Sequence, residues 1–66
     1  MKVKVITDST QKQENYETNT SVEQVIKQKK LSRQAIVPLL NGKVVHPQTV
    51  LKNGDELKLV GVIYGG

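Results

Sequence analysis

The sequence predicts an α+β domain in which a single helix covers one face of a mixed sheet of four or five strands. Three observations lead to this fold class. Apolar and polar residues alternate near both ends of the chain, a capping sequence precedes one helical stretch, and an Asn-Gly pair marks a hairpin. A chain of 66 residues has room for one core, so we expect one domain over residues 1–66 with a short tail at residues 64–66.

The first two strands are predicted near the N terminus. Residues 2–7 alternate lysine with β-branched side chains, so Val3 and Val5 are expected to face the core. A polar turn at residues 8–11 then leads to a weaker strand at residues 13–18, whose only large apolar side chain is Tyr16. Because its apolar content is so low, this second strand is expected at an edge of the sheet.

A helix is predicted from about residue 21 to residue 30. Thr20 and Glu23 have the spacing of a capping box, in which a hydroxyl and a carboxylate each bind a backbone amide at the helix start. The apolar residues of this segment recur at the i, i+3 and i+4 spacing of one helix face: Val22, Val25, Ile26 and, near the end, Leu31. A helix with one apolar face needs a sheet to cover.

A hairpin is predicted in the middle of the chain. Residues 35–40 form the third strand, and residues 43–45 return as a short fourth strand. Asn41 and Gly42 between them favour a type I′ turn, because both central positions of that turn require positive φ. Pro38 cannot donate a hydrogen bond to a neighbouring strand, so we expect it at an edge or at a bulge.

The last strand is predicted at residues 56–63. An irregular connection at residues 47–51 and a turn at Asn53-Gly54-Asp55 precede it. This strand is the most apolar of the chain, so it is expected at the centre of the sheet and beside the first strand.

Composition excludes several classes of function. The chain has no cysteine and one histidine, His46, so thiolate chemistry and a metal site of the usual ligand count are excluded. No nucleophile and base pair or phosphate-binding loop is present, and we expect no catalytic activity from this chain alone. No apolar stretch approaches the roughly 20 residues of a membrane span, so the protein is expected in the cytoplasm.

A net charge of +4 raises the question of nucleic acid binding. A local basic cluster consists of Lys27, Lys29, Lys30 and Arg33. One interpretation is a solvated helix end, whose cations complement the negative pole of the helix dipole. The other is an RNA interface. The first is favoured, because the two tyrosines are too few aromatic side chains for a base-stacking platform.

The chain ends in Gly65 and Gly66, and this diglycine indicates that the working group is the C-terminal carboxylate. Two residues without Cβ can lie in a narrow channel and adopt backbone angles that other residues reject. Extended residues 64–66 would carry the carboxylate about 10 Å beyond the last anchored residue. Tyr64 is either a recognition handle or an amphipathic cap on the last strand. The alternative is a frayed terminus without a function.

The sequence resembles the β-grasp ubiquitin-like proteins. The segments that carry the resemblance are the turn Asn53-Gly54-Asp55, the hairpin segment at residues 41–47 and the terminal residues 62–66. The closest likeness is to the prokaryotic sulfur carriers and archaeal small modifier proteins, which include the thiamine sulfur carrier (ThiS) and the small subunit of molybdopterin synthase (MoaD). The resemblance covers nearly the whole chain, and its specific part lies in the last third.

The resemblance implies that an ATP-dependent activating enzyme adenylates Gly66, with ATP and magnesium held by that partner and no cofactor held by this chain. The activated end would then accept sulfur as a thiocarboxylate for tRNA thiolation or cofactor synthesis, or join a lysine by an isopeptide bond. On this interpretation the protein is a carrier or modifier and not an enzyme. Two alternatives stay open: an RNA-binding β-grasp module, and the small subunit of a molybdopterin-synthase-like enzyme.

A docking surface for the activating enzyme is predicted on the outer face of the sheet. If Leu57 and Leu59 point inward, alternation along the strand places their neighbours outward, close to the outward residues of the third strand. The predicted docking residues are Lys58, Val60, Val62 and Tyr64 with Val37 and Leu39. Exposed aliphatic patches usually mark interaction sites. The other interpretation reverses the faces around Pro38 or Gly61 and assigns these residues to the core.

Overall fold

The computed structural model describes residues 1–7, 10–29 and 36–61. These residues form a five-stranded sheet and one helix, in agreement with the predicted α+β class. The elements are β1 (Lys2–Ile6), β2 (Gln11–Asn15), α1 (Val22–Gln28), β3 (Ile36–Leu40), β4 (Lys43–Val44) and β5 (Glu56–Gly61). The strand order is β2-β1-β5-β3-β4, and only β1 and β5 run parallel. The sheet is therefore mixed, with β5 at its centre and beside β1, as predicted.

The core lies between α1 and the inner face of the sheet. Its members are Val3, Val5, Tyr16, Val22, Val25, Ile26, Leu51, Leu57 and Leu59, all at most 9% exposed. The inward positions predicted for β1 and β5 are confirmed, and so is the apolar face of the helix. Removal of this aliphatic surface from water is the main force that holds the helix on the sheet.

The predicted bounds of β2 are wrong, although its edge position is confirmed. The strand covers Gln11–Asn15 instead of residues 13–18, because the pairing with β1 runs from Ile6 with Gln11 to Lys2 with Asn15. Tyr16 still exchanges backbone hydrogen bonds with Met1, and the chain then turns, with the Thr20 amide donating to the Glu17 carbonyl. Tyr16 follows the strand and packs into the core.

The capping box is also displaced by one residue. Ser21 is the N-cap, its hydroxyl accepts from the Gln24 amide, and the Gln24 side chain accepts from the Ser21 amide. The Thr20 hydroxyl is unavailable for this role, because it donates to the Glu17 carbonyl at 2.7 Å. The helix is shorter than predicted, at Val22–Gln28. The predicted positions Lys30 and Leu31 lie outside the described residues.

The helix start is also fixed by the connection between β4 and β5. The amides of Val22 and Glu23 donate to the carbonyls of Thr49 and Pro47 at 2.9 and 2.8 Å. In return, the Leu51 amide donates to the Thr20 carbonyl at 2.9 Å. The helix therefore keeps its first amides satisfied by main-chain carbonyls of a segment far away in sequence.

The predicted turn between β3 and β4 is confirmed. Asn41 and Gly42 have φ of 53° and 88°, the signs that a type I′ turn requires. The returning strand β4 is one residue shorter than predicted, since it ends at Val44.

Pro38 lies inside a regular ladder, so the predicted bulge is absent. It stands opposite Leu59 in a register that runs without interruption from Ile36 to Leu40. The Asn41 amide donates to the Glu56 carbonyl, which shows that odd-numbered residues of this segment bind β5. Even-numbered residues face β4, and the Val45 amide donates to the Pro38 carbonyl. The N–H that Pro38 lacks would therefore point toward the short strand β4 and not toward β5. Its absence removes no hydrogen bond between β3 and β5, which explains why proline is tolerated here.

Candidate functional site

Aliphatic side chains cluster on the sheet face opposite the helix. Val37 of β3 stands directly opposite Val60 of β5, and Leu39 is paired with Val44 of β4. Directly opposed residues share a face and lie in contact distance across the strands. We call these four residues, Val37, Leu39, Val44 and Val60, the outer aliphatic patch. Val44 is 69% exposed and the other three are half-buried, so the patch is open to a partner.

The strand pattern explains why this patch exists. Leu57 and Leu59 alternate with Lys58 and Val60 along β5, so inward burial of the leucines places the other two outward. Four of the predicted docking residues, Val37, Leu39, Lys58 and Val60, therefore lie on one face. Their docking role stays a prediction. Val62, Tyr64, Gly65 and Gly66 lie outside the described residues.

Val44 was not among the predicted docking residues. The Asn41-Gly42 turn held the necessary signal, because a two-residue turn fixes Leu40 opposite Lys43 and therefore Leu39 opposite Val44. The exposure of Val44 follows from the short length of β4, which leaves this residue at the last position of an edge strand.

Lys58 lies at the boundary between the outer aliphatic patch and a polar half of the same face. It is paired with Leu39 on one side and with Ile6 on the other. In the part of the chain that the structure describes, its ammonium has no ion pair, whereas Lys4 nearby is paired with Glu56 at 3.7 Å. The polar half continues across β1 and β2 with Lys2, Lys4, Gln11, Gln13 and Asn15, and it also contains the half-buried Ile6, which lies between Lys58 and Gln11. The patch is thus bordered by a positively charged side chain.

The outer aliphatic patch includes Val60, next to the last residue of β5. Gly61 is paired with Ile36 at the end of β5, and the next pair inward is Val60 with Val37. Gly66, the last residue of the diglycine, is five residues beyond Gly61 in the sequence. A partner that covers the patch would therefore lie beside Gly61, from which the sequence continues to Gly66.

The basic cluster on α1 is engaged in intramolecular ion pairs where it is described. Lys29 binds the carboxylate of Glu14, and Lys27 lies 4.0 Å from Glu23. Lys30 and Arg33 lie outside the described residues. Two of the four cations of the cluster already compensate carboxylates, and this favours the interpretation as a solvated helix end over the RNA interface.

Glu14 connects β2 with the helix. Besides Lys29, its carboxylate accepts from the Tyr16 hydroxyl at 2.8 Å. The hydrogen bond from Lys29 is the main reason that the pKa of Glu14 lies below its ordinary value. Burial, followed by the bond to Glu14, raises the pKa of Tyr16 above its usual range. This network serves the fold, and it lies on the face away from the outer aliphatic patch.

Metal and membrane features are absent from residues 1–7, 10–29 and 36–61. No group of three or more His, Cys, Asp or Glu side chains in these ranges could hold a metal ion. His46 accepts a hydrogen bond from the Gln48 amide at its Nδ1 atom. No helix in these ranges has the length and apolar character to cross a membrane.

Comparison with protein families decides the relationship of this chain. The model of the ThiS family matches residues 2–66, which is nearly every residue. The chain belongs to the ThiS family. The suspected resemblance is thereby confirmed, and the mixed sheet with one helix is the β-grasp fold of that family. No match was found among curated proteins. As a member of the ThiS family, the protein is a small ubiquitin-like sulfur carrier and is not itself a catalyst.

Proposed function

We propose that this ThiS-family protein carries sulfur on its own C terminus, as a thiocarboxylate of Gly66. The observation that supports the proposal most directly is the family match, which extends through the diglycine to residue 66. The fold agrees with it. The central strand β5 is the last described element before this terminus in sequence, and the outer aliphatic patch lies at its final residues, Val60 and Gly61.

The proposed chemistry begins with activation of the carboxylate. A carboxylate is a poor electrophile, because its negative charge repels nucleophiles and its oxygen is a poor leaving group. An oxygen of the Gly66 carboxylate attacks the α-phosphorus of ATP, pyrophosphate leaves, and an acyl-adenylate forms. The activating enzyme supplies ATP and magnesium, which neutralises the phosphate charge. This chain contributes the acyl group alone.

Sulfur then replaces the adenylate. The terminal sulfur of a persulfide held by a partner attacks the acyl carbon, AMP leaves, and an acyl disulfide forms. A second thiol of the partner attacks the partner's sulfur in this disulfide, so the S–S bond breaks, a disulfide remains on the partner and the thiocarboxylate of Gly66 is released. Gly65 supports both steps, because a residue without Cβ lets a partner's catalytic groups approach the acyl carbon closely. The family relationship implies a sulfur acceptor in general. We propose tRNA thiolation or cofactor synthesis in the cytoplasm as the use of the sulfur.

Docking of the activating enzyme is proposed at the outer aliphatic patch with Lys58. Exposed apolar patches usually mark interaction sites. The patch is contiguous across β5, β3 and β4, and Lys58 offers a charge for orientation at its border. Val62 and Tyr64, the other predicted docking residues, follow Val60 in sequence and would continue this contact toward Gly66.

Intact mass spectrometry tests the proposed site. The protein is incubated with an activating enzyme of the family, ATP, magnesium and a sulfur donor. We expect a mass increase equal to replacement of one oxygen by sulfur, confined to the C-terminal peptide. A chain lacking Gly66 should show no increase, and omission of ATP should abolish it in the complete chain. An increase that persists without Gly66 would refute the assignment of the site.

The same acyl-adenylate could instead join a lysine amine, and the sequence offers a direct test. Trypsin cleaves after Lys58, the last lysine or arginine of the chain. A conjugated target would therefore carry residues 59–66 on the modified lysine. Detection of that remnant on proteins from native cells would establish a modifier role beside sulfur transfer. A stable complex with a larger catalytic subunit would indicate the synthase-subunit role.

A further inference from the structure

The outer edge of β2 is open and its hydrogen-bonding pattern is well defined. Met1 and Tyr16 exchange two hydrogen bonds, at 2.7 and 2.8 Å. In an antiparallel pair, bonded and non-bonded positions alternate, so Glu14 and Lys12 also bind β1. Gln11, Gln13 and Asn15 therefore direct their amides and carbonyls away from β1. Among the described residues, no other strand pairs with this edge.

The two edges of the sheet are protected to different degrees. At the far edge, β4 has only two residues and Pro38 removes a donor from β3. Short edge strands and proline prevent pairing with any other chain, whereas charged side chains, such as Lys12 and Glu14 of β2, prevent pairing with a strand that does not complement them. The five residues of β2 contain no proline, and no bulge interrupts their register with β1. This edge is the one suited to accept a further strand.

The sequence of β2 is complementary to itself. In an antiparallel arrangement centred on Gln13, that residue meets its own counterpart and Gln11 meets Asn15 of the second copy. These are the three positions whose backbone groups point outward, so each pair exchanges two hydrogen bonds. On the inner face, Lys12 meets Glu14 of the second copy. Opposite charges in directly opposed positions stabilise strand pairing.

We propose that two copies of this protein pair edge to edge along β2, antiparallel and with Gln13 on the two-fold axis. The second copy is the occupant because β2 complements itself both in its outward backbone groups and in charge, with Lys12 opposite a Glu14 carboxylate that also binds Lys29 and Tyr16 of its own copy. The Lys12 ammonium has no ion pair in residues 1–7, 10–29 and 36–61, and a carboxylate of the second copy would supply one. The contact is small, so the dimer is weak and depends on protein concentration.

The dimer is compatible with sulfur transfer. β2 and the outer aliphatic patch lie at opposite sides of the sheet, separated by β1. Pairing along β2 therefore leaves the patch of each copy free. A two-fold axis perpendicular to the sheet reverses the strand direction, so the two β5 strands run in opposite directions. The Gly61 ends of the two β5 strands would then lie at opposite ends of one continuous sheet.

Cysteine cross-linking tests the register, and the chain offers a background without cysteine. Gln13→Cys places the two thiols at a hydrogen-bonded pair, where Cα atoms lie about 5.5 Å apart, within the range of a disulfide. Gln11→Cys is the matched control, because Gln11, like Gln13, is an exposed glutamine on the outer face of β2. In the proposed dimer, its counterpart lies roughly 14 Å away.

Under mild oxidation of the folded protein, we expect Gln13→Cys to form a covalent dimer at least about tenfold faster than Gln11→Cys, since only the first is held within bonding distance. Equal rates for the two variants would overturn the proposed register. A faster reaction of Gln11→Cys would also overturn it.

Two measurements without a thiol complete the test. Gln13→Pro removes an outward amide without loss of a bond to β1, so sedimentation should show less dimer while circular dichroism stays native. In the unsubstituted protein, NMR amide shifts at residues 11, 13 and 15 should change with concentration more than those at 12 and 14. Absence of this alternation, or a proline variant that dimerises equally well, would refute the proposal. Neither result depends on Gly66.

Discussion

The two faces of the sheet are built from the same strands but have different chemistry. The inner face presents Val3, Val5, Leu57 and Leu59 to the helix, and these side chains are almost completely buried. The outer face has an aliphatic half on β5, β3 and β4, and a polar half on β1 and β2. No helix covers either half in the described part of the chain. The comparison teaches that one face holds the fold and the other is available for contacts.

The sharpest test of this division is truncation of one side chain on each face of β5. Leu57→Ala is expected to lower the free energy of unfolding by about 2–5 kcal/mol, because it leaves a cavity in a fully packed core. That loss is a large part of the stability of so small a domain. Urea denaturation followed by circular dichroism measures it.

Val60→Ala is the matched control on the outer face. Half-buried side chains have less apolar area to lose, so we expect a loss of under about 1 kcal/mol. Comparable losses for the two variants would show that Val60 belongs to the core and would remove the outer aliphatic patch as a free surface.

The roles of the two halves of the outer face in partner binding can be distinguished by adding one negative charge to each half. Leu39→Asp should raise the KM for this protein in the activating-enzyme reaction by about tenfold, because it introduces a carboxylate into an apolar contact. Asn15→Asp adds one negative charge to the polar half and should leave the KM close to its original value. Steady-state pyrophosphate release measures both variants.

The comparison of KM values is valid only if both variants unfold at urea concentrations close to that of the original protein. An unchanged KM for Leu39→Asp would place the docking surface elsewhere. An equal rise in both variants would show that the partner responds to net charge and not to the patch.

A smaller effect is expected at the β2 edge of the inner face, where polar groups replace aliphatic ones. Glu14→Gln should lower stability at neutral pH by about 0.5–1 kcal/mol, since a partly exposed ion pair contributes little. The folded-state pKa of Glu14 is depressed, so its contribution is present above the ordinary value of 4.5 and is lost as pH falls through the folded value.

Urea denaturation of both proteins across acidic pH measures this dependence. The difference in stability between the original chain and Glu14→Gln should shrink below pH 4.5. A difference that stays constant throughout the acidic range would mean that Glu14 stabilises the protein by packing and not by its charge.

Much of the fold was predictable because local patterns and tertiary packing agree. The alternation in β1 and β5, the apolar stripe of Val22, Val25 and Ile26, and the Asn41-Gly42 turn each point to the observed structure. These signals are strong because an error of one residue would expose buried aliphatic side chains. The inward residues of β1, β5 and the helix, and the position of β5 beside β1 at the centre of the sheet, followed from them.

The misplaced details are polar and depend on competition between hydrogen bonds. Thr20 and Ser21 both suit a helix cap, and the turn at Glu17 decides between them by engaging the Thr20 hydroxyl. The bounds of β2 were missed because its residues are uniformly polar and give no periodic signal. Pro38 was assigned to an edge or bulge because the direction of its absent N–H depends on a register that sequence alone does not give.

The candidate site was predictable in part for the same reason. The outward direction of Val60 and Lys58 follows from the burial of Leu57 and Leu59. Val44 depends on a pairing set by a turn, and it was missed. The role of Gly66 rests on family relationship and chemistry, and the terminal mass measurement is its test.

The bonds that start the helix have a consequence for how this protein can diverge. The acceptors at Pro47 and Thr49 are peptide oxygens, which all amino acids possess. The side chains at residues 47 and 49 can therefore be substituted without loss of these hydrogen bonds, provided that the backbone keeps its path. Ser21 and Gln24 have no such freedom, since their own functional groups make the contact. Among descendants of this sequence, we expect residues 47 and 49 to drift and residues 21 and 24 to exchange only for groups that can cap a helix.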